Sequence, residues 1–223
     1  MKNKISRIHD RDFEAYELLV SIGNDCQHIA LMWLNEENDL RIAHKNIYSI
    51  ELLRRDLGQF CMNNRNVYIA DTSIALDDAE YLIKYLEANF SLATPCAYGY
   101  NSEGYFFGNN GLARINECGT GLTCGSFIVK LVKDYLNTTL FEDNFEIREA
   151  DILRQRHQLQ KLLENIDNTT ININDLMNEI DKFQFFPPVM VMAALLSPAT
   201  TYPLSREDVT PAYEELLCYF ESL

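Results

Sequence analysis

The stretch Asn116 to Tyr135, NECGTGLTCGSFIVKLVKDY, constrains this chain most. A turn rich in glycine and threonine runs directly into a helix pattern, with Cys124 at the join. Phe127, Ile128, Leu131, Val132 and Tyr135 follow at helical spacing, and no proline interrupts them. Thr120 or Thr123 supplies the N-cap. A cysteine in the first turn meets the positive end of the helix dipole, which favours thiolate over thiol. The competing reading is a small core residue on the buried side of an ordinary helix, a common fate for a free cysteine.

Charge narrows the partners. The chain has 33 acidic against 19 basic residues in 223, a net charge of −14, and no basic run. Binding nucleic acid or an anionic membrane needs clustered Lys and Arg, so neither is expected as a partner. Six cysteines are scattered, none in a CxxC pair, and Cys118 and Cys124 have no companion ligands at metal spacing. Free thiols in a reducing compartment are expected, with no metal and no cofactor. The N-terminus lacks the apolar core of a secretory signal. The longest apolar run, Val189 to Leu196, is far short of a membrane span. A cytoplasmic chain is expected, with export by a specialised secretion system left open.

Along the chain, residues 1–14 read as a short helix or unstructured lead-in. Tyr16 to Ile22 reads as a strand. His28 to Leu34 (HIALMWL) and Leu40 to His44 (LRIAH) read as a β-hairpin around the polar turn NEEND. If the connecting loop is odd in length, cross-strand pair sums are even. His28 and His44 then share a face, about one pairing step apart. An even loop puts them on opposite faces. Ser49 to Cys61 reads as a short helix, Val67 to Ala70 as a strand, and Ser73 to Asn89 as an amphipathic helix. The aromatics between Tyr98 and Phe107 read as loop and core packing around one or two short strands. After residue 142 the chain turns helical and polar. Expected there are helices over Glu149–Ile166 and about Asp175–Phe183, an apolar segment over Val189–Leu196, and a helix over Ala212–Phe220 started by Thr210 and Pro211. No repeat or low-complexity tract appears.

A thiol nucleophile needs a base in hydrogen-bond reach and a third group to orient that base. Four histidines are available. His9 lies in the lead-in and His157 on a polar helix. His28 opens an apolar strand, a costly place for a polar ring, and His44 closes the partner strand. The base is therefore His28 or His44, with the other as orienter.

QHIALMW followed by LRIAH, then GLTCGSFIVKL after a gap, resembles the circularly permuted branch of the papain-like fold. That branch includes the permuted NlpC-type peptidases and amidases and the lecithin:retinol acyltransferase family. Histidine precedes cysteine here, as permutation requires. The resemblance covers roughly residues 16–136. It implies an α+β fold: a permuted papain-like core over 1–142, its antiparallel sheet packed on the cysteine-bearing helix, and a helical C-terminal extension over 143–223 that is not an independent domain. It implies Cys124 as nucleophile, His28 as general base and His44 as the orienting group. The Cys124 N–H is a natural oxyanion donor. Gln27, Asn24 and Tyr98 are side-chain candidates to complete the hole.

The activity so implied is cleavage of a peptide or isopeptide amide through a Cys124 thioester. The alternatives are acyl transfer or lipid-ester hydrolysis of the acyltransferase type, and a non-catalytic interaction protein on the same fold. Thr123 before the cysteine and Gly125 with Ser126 after it depart from the acyltransferase motif and stand closer to the NlpC type. The substrate is a peptide or an acyl compound. The helical extension offers a surface for a protein partner.

Overall fold

The computed structural model describes residues 4–223 except 24, 91–92, 115–120, 147, 165–175, 177–179, 181 and 184. Seven strands form one antiparallel sheet: β1 (Ile5–Arg7), β2 (Leu19–Gly23), β3 (Ile29–Leu34), β4 (Leu40–Lys45), β5 (Ser49–Arg55), β6 (Val67–Asp71) and β7 (Thr94–Pro95). Their order across the sheet is β1-β6-β2-β3-β4-β5-β7. A separate hairpin pairs β8 (Tyr105–Gly108) with β9 (Gly111–Arg114). The helices are α1 (Leu57–Asn63), α2 (Leu76–Asn89), α3 (Cys124–Leu136), α4 (Glu149–Glu164), α5 (Pro188–Leu196) and α6 (Arg206–Glu221). The fold is mixed α+β, built on a large antiparallel sheet.

The two faces of that sheet are buried unequally, and the period-2 alternation of each strand decides which residue goes where. Ile29, Leu31, Trp33 and Ala43 enter the large core with Phe127, Ile128 and Leu131 of α3, Val189 to Leu196 of α5, and parts of α2 and α6. Ala30, Met32, Leu34, Leu40 and Ile42 enter a small core closed by Ile8, Leu57 and Phe60. Burial on both sides explains why HIALMWL is continuously apolar. A helix apolar all round, such as VMVMAALL, is stable only when enclosed, and α5 lies between the sheet and α6. It belongs to the same core as the sheet. Among the described residues no helix is long and apolar enough to cross a membrane.

Three elements differ from the sequence expectation. Ser49–Arg55 is a strand where a helix was expected. Asn46 Oδ1 accepts from the Tyr48 and Ser49 N–H groups at 2.8 and 2.7 Å, closing a hairpin that pairs the segment with β4. Ile50 and Leu52 then face the large core and Leu53 the small one. The helix starts only at Leu57, where Asp56 accepts from the Gln59 N–H at 2.7 Å. In the lead-in, Ile5–Arg7 pairs with β6, because Ile8 beyond it fills the small core. The last helix begins at Arg206, ahead of Thr210–Pro211. Ser205 and Asp208 form a capping box there, and Pro211 sits inside the helix. Most of the expected Asp175–Phe183 helix, with the connector before it, lies outside the described residues.

Candidate active site

Cys124 is the first residue of α3. Thr123 is the N-cap: the Ser126 N–H donates to Thr123 Oγ1 at 3.1 Å, and the Thr123 N–H donates to Ser126 Oγ at 2.8 Å. This reciprocal box occupies those two donors and leaves the Cys124 and Gly125 N–H groups at the open helix end beside the sulfur. Gly125 is required by space. A Cβ there would lie 2.1 Å from the Phe186 carbonyl oxygen. The 97–101 segment is tied to the same helix start, with the Leu122 N–H donating to Ala97 O at 3.0 Å and the Gly121 N–H to Asn101 O at 2.8 Å. A Cβ on Gly121 would stand 2.4 Å from Gly99 N.

The Cys124 thiol donates to the Gln27 carbonyl at 3.8 Å. Burial raises its pKa above the ordinary thiol value, against the Ile29, Gly125 and Cys124 N–H groups and the Lys45 charge, which all favour thiolate. The sequence argument from the helix dipole named a real force, but desolvation outweighs it in the resting site.

The histidine hairpin has the odd loop. Leu34 pairs with Leu40 and Ala30 with His44, across a turn whose Asn35 Oδ1 accepts from the Glu37 and Asp39 N–H groups at 3.1 and 2.8 Å. Pair sums are even, so His28 and His44 share a face. His28 Nε2 is 3.0 Å from His44 Nδ1, with the rings edge to face. His44 stands directly across from Glu51 of β5, and its Nε2 is 3.2 Å from Glu51 Oε2, off the line of a well-formed hydrogen bond. Glu51 Oε1 in turn accepts from Asn46 Nδ2 and, at 3.1 Å, from Ser49 Oγ.

Both imidazoles are pulled towards the neutral form. His28 is exposed to solvent, yet the density of protein around it, and then His44, bring its pKa down to about 4. Burial lowers His44 too, with Glu51 opposing. With both rings neutral, one tautomer set suits this arrangement. The His44 Nε2–H is on the Glu51 side, His44 Nδ1 accepts from His28 Nε2–H, and His28 Nδ1 keeps its lone pair.

The sequence candidates therefore fall into two groups. His28 and His44 touch each other. Cys124 touches the backbone that carries His28, through Gln27 O and the Ile29 N–H. Among the described residues no hydrogen bond joins the sulfur to either ring. Tyr98 is close enough to feel Cys124, and burial pushes its phenol well above the usual value, so it keeps its proton as a donor. Gln27 presents an acceptor to the sulfur through its backbone, while the residue itself is exposed. Asn24 lies outside the described residues. His9 pairs with Asp10 at 3.3 Å. His157 is exposed and borders a cavity of about 240 Å³ that Gln27, Arg154 and Leu217 also line. Among the described residues no group of three His, Cys, Asp or Glu side chains is placed to hold a metal.

Two residues escaped the sequence reading. Glu51 was assigned to a helix. The Asn46 turn was the signal that would have set it opposite His44. Lys45 lay just beyond the expected Leu40–His44 strand; the strand includes it, and alternation carries it to the α3 side of the sheet, where it is 2% exposed. No family model matches this chain, and searches of curated proteins and of solved structures likewise find no match.

Proposed function

We propose that the chain is a thiol-dependent hydrolase that cleaves a peptide or isopeptide amide through a thioester on Cys124, on a permuted papain-like core. The observation that carries the reading is the Glu51–His44–His28 series, which ends at the backbone against which the Cys124 sulfur lies. Contacts between catalytic groups are often long in the free enzyme and tighten around substrate.

In the mechanism, His28 Nδ1 takes the Cys124 proton as the sulfur attacks the carbonyl carbon. The new oxyanion is held by the Cys124 N–H, with Gly125 N–H beside it and the Tyr98 hydroxyl as a further donor. The imidazolium at His28 is oriented by His44 and, through it, by Glu51. It gives its proton to the leaving amine, and the C–N bond breaks. Water activated by the same ring then hydrolyses the thioester and restores the thiol.

One observation favours a second reading, the non-catalytic interaction protein: a half-buried thiol with a raised pKa and, among the described residues, no hydrogen bond to an imidazole is ordinary for a structural cysteine. Iodoacetamide labelling near neutral pH, mapped by mass spectrometry, separates the two. Fast, selective labelling of Cys124 that slows in His28→Ala supports the hydrolase. Equal labelling of all six cysteines, or an inert Cys124, sinks it. A covalent acyl adduct from a short-chain ester or phospholipid, with no cleavage of peptide amides, would move the assignment to acyl transfer.

A further inference from the structure

Lys45 is a cation in a place that does not suit one. It is 2% exposed, among the largest fully buried side chains. An ammonium has three donors, and among the described residues Lys45 donates to the carbonyl of its own neighbour Asn46. Among the described residues no carboxylate lies within ion-pair distance of it. Buried charges are normally paired, because desolvation costs several kcal/mol per ion.

The titratable groups around Lys45, on both faces of the sheet, narrow the choice of partner. From the strands come Glu51 of β5, His44 of β4 itself and His28 before β3. From the 96–98 segment come Cys96 and Tyr98, whose ring centroid is 5.8 Å from Nζ. From α3 comes Cys124. Glu51 is engaged by His44, Asn46 and Ser49. Tyr98 keeps its proton. Cys96 is buried, donates to Ala97 O at 3.5 Å and lacks a helix terminus. Cys124 alone combines a helix N-terminus, free N–H groups and a partly open position.

We propose that Lys45 is a positioning residue of the site, its buried ammonium being the counter-charge of the thiolate that forms when His28 takes the Cys124 proton. The sheet supplies the base from one face and the counter-charge from the other, at adjacent positions of β4. The inference rests on Cys124 being the nucleophile. Its physical support is reciprocal. The Lys45 charge lowers Cys124, Cys124 raises Lys45, and burial still brings Lys45 down to about 8. Lys45 also lowers both histidines.

Lys45→Met tests this, because an apolar side chain of similar volume in place of a buried charge is usually tolerated. Iodoacetamide alkylation of Cys124 is followed against pH. At pH 7 the rate is expected to fall about tenfold, the equivalent of one pK unit. Both the acid limb set by His28 and the alkaline rise set by the thiol should move to higher pH. A packing role would not move both limbs in one direction. An unchanged profile in folded Lys45→Met overturns the proposal.

A second measurement does not depend on that variant folding. The Lys45 ¹³Cε resonance is titrated in the unaltered chain and in Cys124→Ala, where loss of the thiol should lower the lysine midpoint. Equal midpoints overturn the proposal. Fast, His28-dependent labelling that ignores Lys45 would leave the hydrolase reading standing and this inference fallen. Coupling between Lys45 and Cys124 without any acyl adduct from peptide or ester would do the reverse.

Discussion

His44 and Lys45 are adjacent in β4 and face opposite sides of one sheet. His44 points with Leu40 and Ile42 to the small-core side, where it meets His28 and Glu51. Lys45 points with Ala43 to the α3 side, where its ammonium is 5.8 Å from the Tyr98 ring centroid and within electrostatic reach of Cys96 and Cys124. Burial acts on both in the same direction, disfavouring charge, but the partners differ. The histidine side offers a carboxylate and a chain of ring nitrogens, which fix tautomers and leave a neutral base. The lysine side offers thiols, which answer a positive charge only by losing a proton. Under the proposed mechanism the two faces would divide proton acceptance from charge compensation, and Cys124 lies against the Gln27 carbonyl at the end of the strand that carries His28.

The largest test of this division is His28→Ala, expected to cost about 10² to 10⁴-fold in Cys124-dependent turnover or alkylation, the usual worth of a general base. In the unaltered chain the rate should fall as pH drops through about 4, because imidazolium cannot accept a proton. The variant should lose that limb. A limb near the ordinary histidine value, or one that survives in His28→Ala, breaks the histidine side of the comparison.

Next is Gly125→Ala, which drives a methyl into the Phe186 carbonyl. Overpacking of this kind costs about 1–3 kcal/mol, or roughly 2–4 °C in Tm per kcal/mol for a chain of this size. Differential scanning calorimetry checks it. No loss of Tm would mean that the 185–187 segment does not hold the helix start.

Glu51→Gln should reduce turnover about tenfold, by admitting the wrong tautomer of His44, and should lower the His44 pKa in an imidazole NMR titration. A His44 titration unchanged in that variant would detach Glu51 from the series. The smallest expected effect is Thr123→Ala. Loss of the cap should cost about 1 kcal/mol of stability by chemical denaturation and leave the His28–His44 contact intact, since the Thr123 side chain bonds to Ser126 and not to either ring.

Much of the candidate site is legible in local sequence because its parts are local devices. A threonine two residues after a glycine, followed by helical apolar spacing, places Cys124 at a helix start. An apolar run opened by His28 and an alternating run closed by His44 give a hairpin around the polar NEEND turn, but that its loop is odd, with five residues between Leu34 and Leu40, only the strand register decided. Glu51 was not legible. Ile50, Leu52 and Leu53 satisfy a helical stripe as readily as a two-sided strand, and only the ladder with β4 decides between them. The start of α6 was hidden differently: Thr210–Pro211 is a good local start, but the Ser205–Asp208 capping box lies upstream and the helix runs through Pro211.

By itself the sequence determined which groups exist and how each is presented: a cysteine on a helix terminus, two histidines on one hairpin, an acidic surface without a basic run. Hydrogen bonding within a turn or helix end and the two-residue period of a strand are short-range forces, so a few neighbouring letters suffice for them. Tertiary structure alone decided which groups meet and what charge they carry. Desolvation depends on all the atoms packed around a group, and those come from distant parts of the chain. That is why the thiol at a favourable helix terminus has a raised pKa, why burial draws His28 towards the neutral form, and why Lys45, just past the expected strand, is enclosed on the α3 side of the sheet.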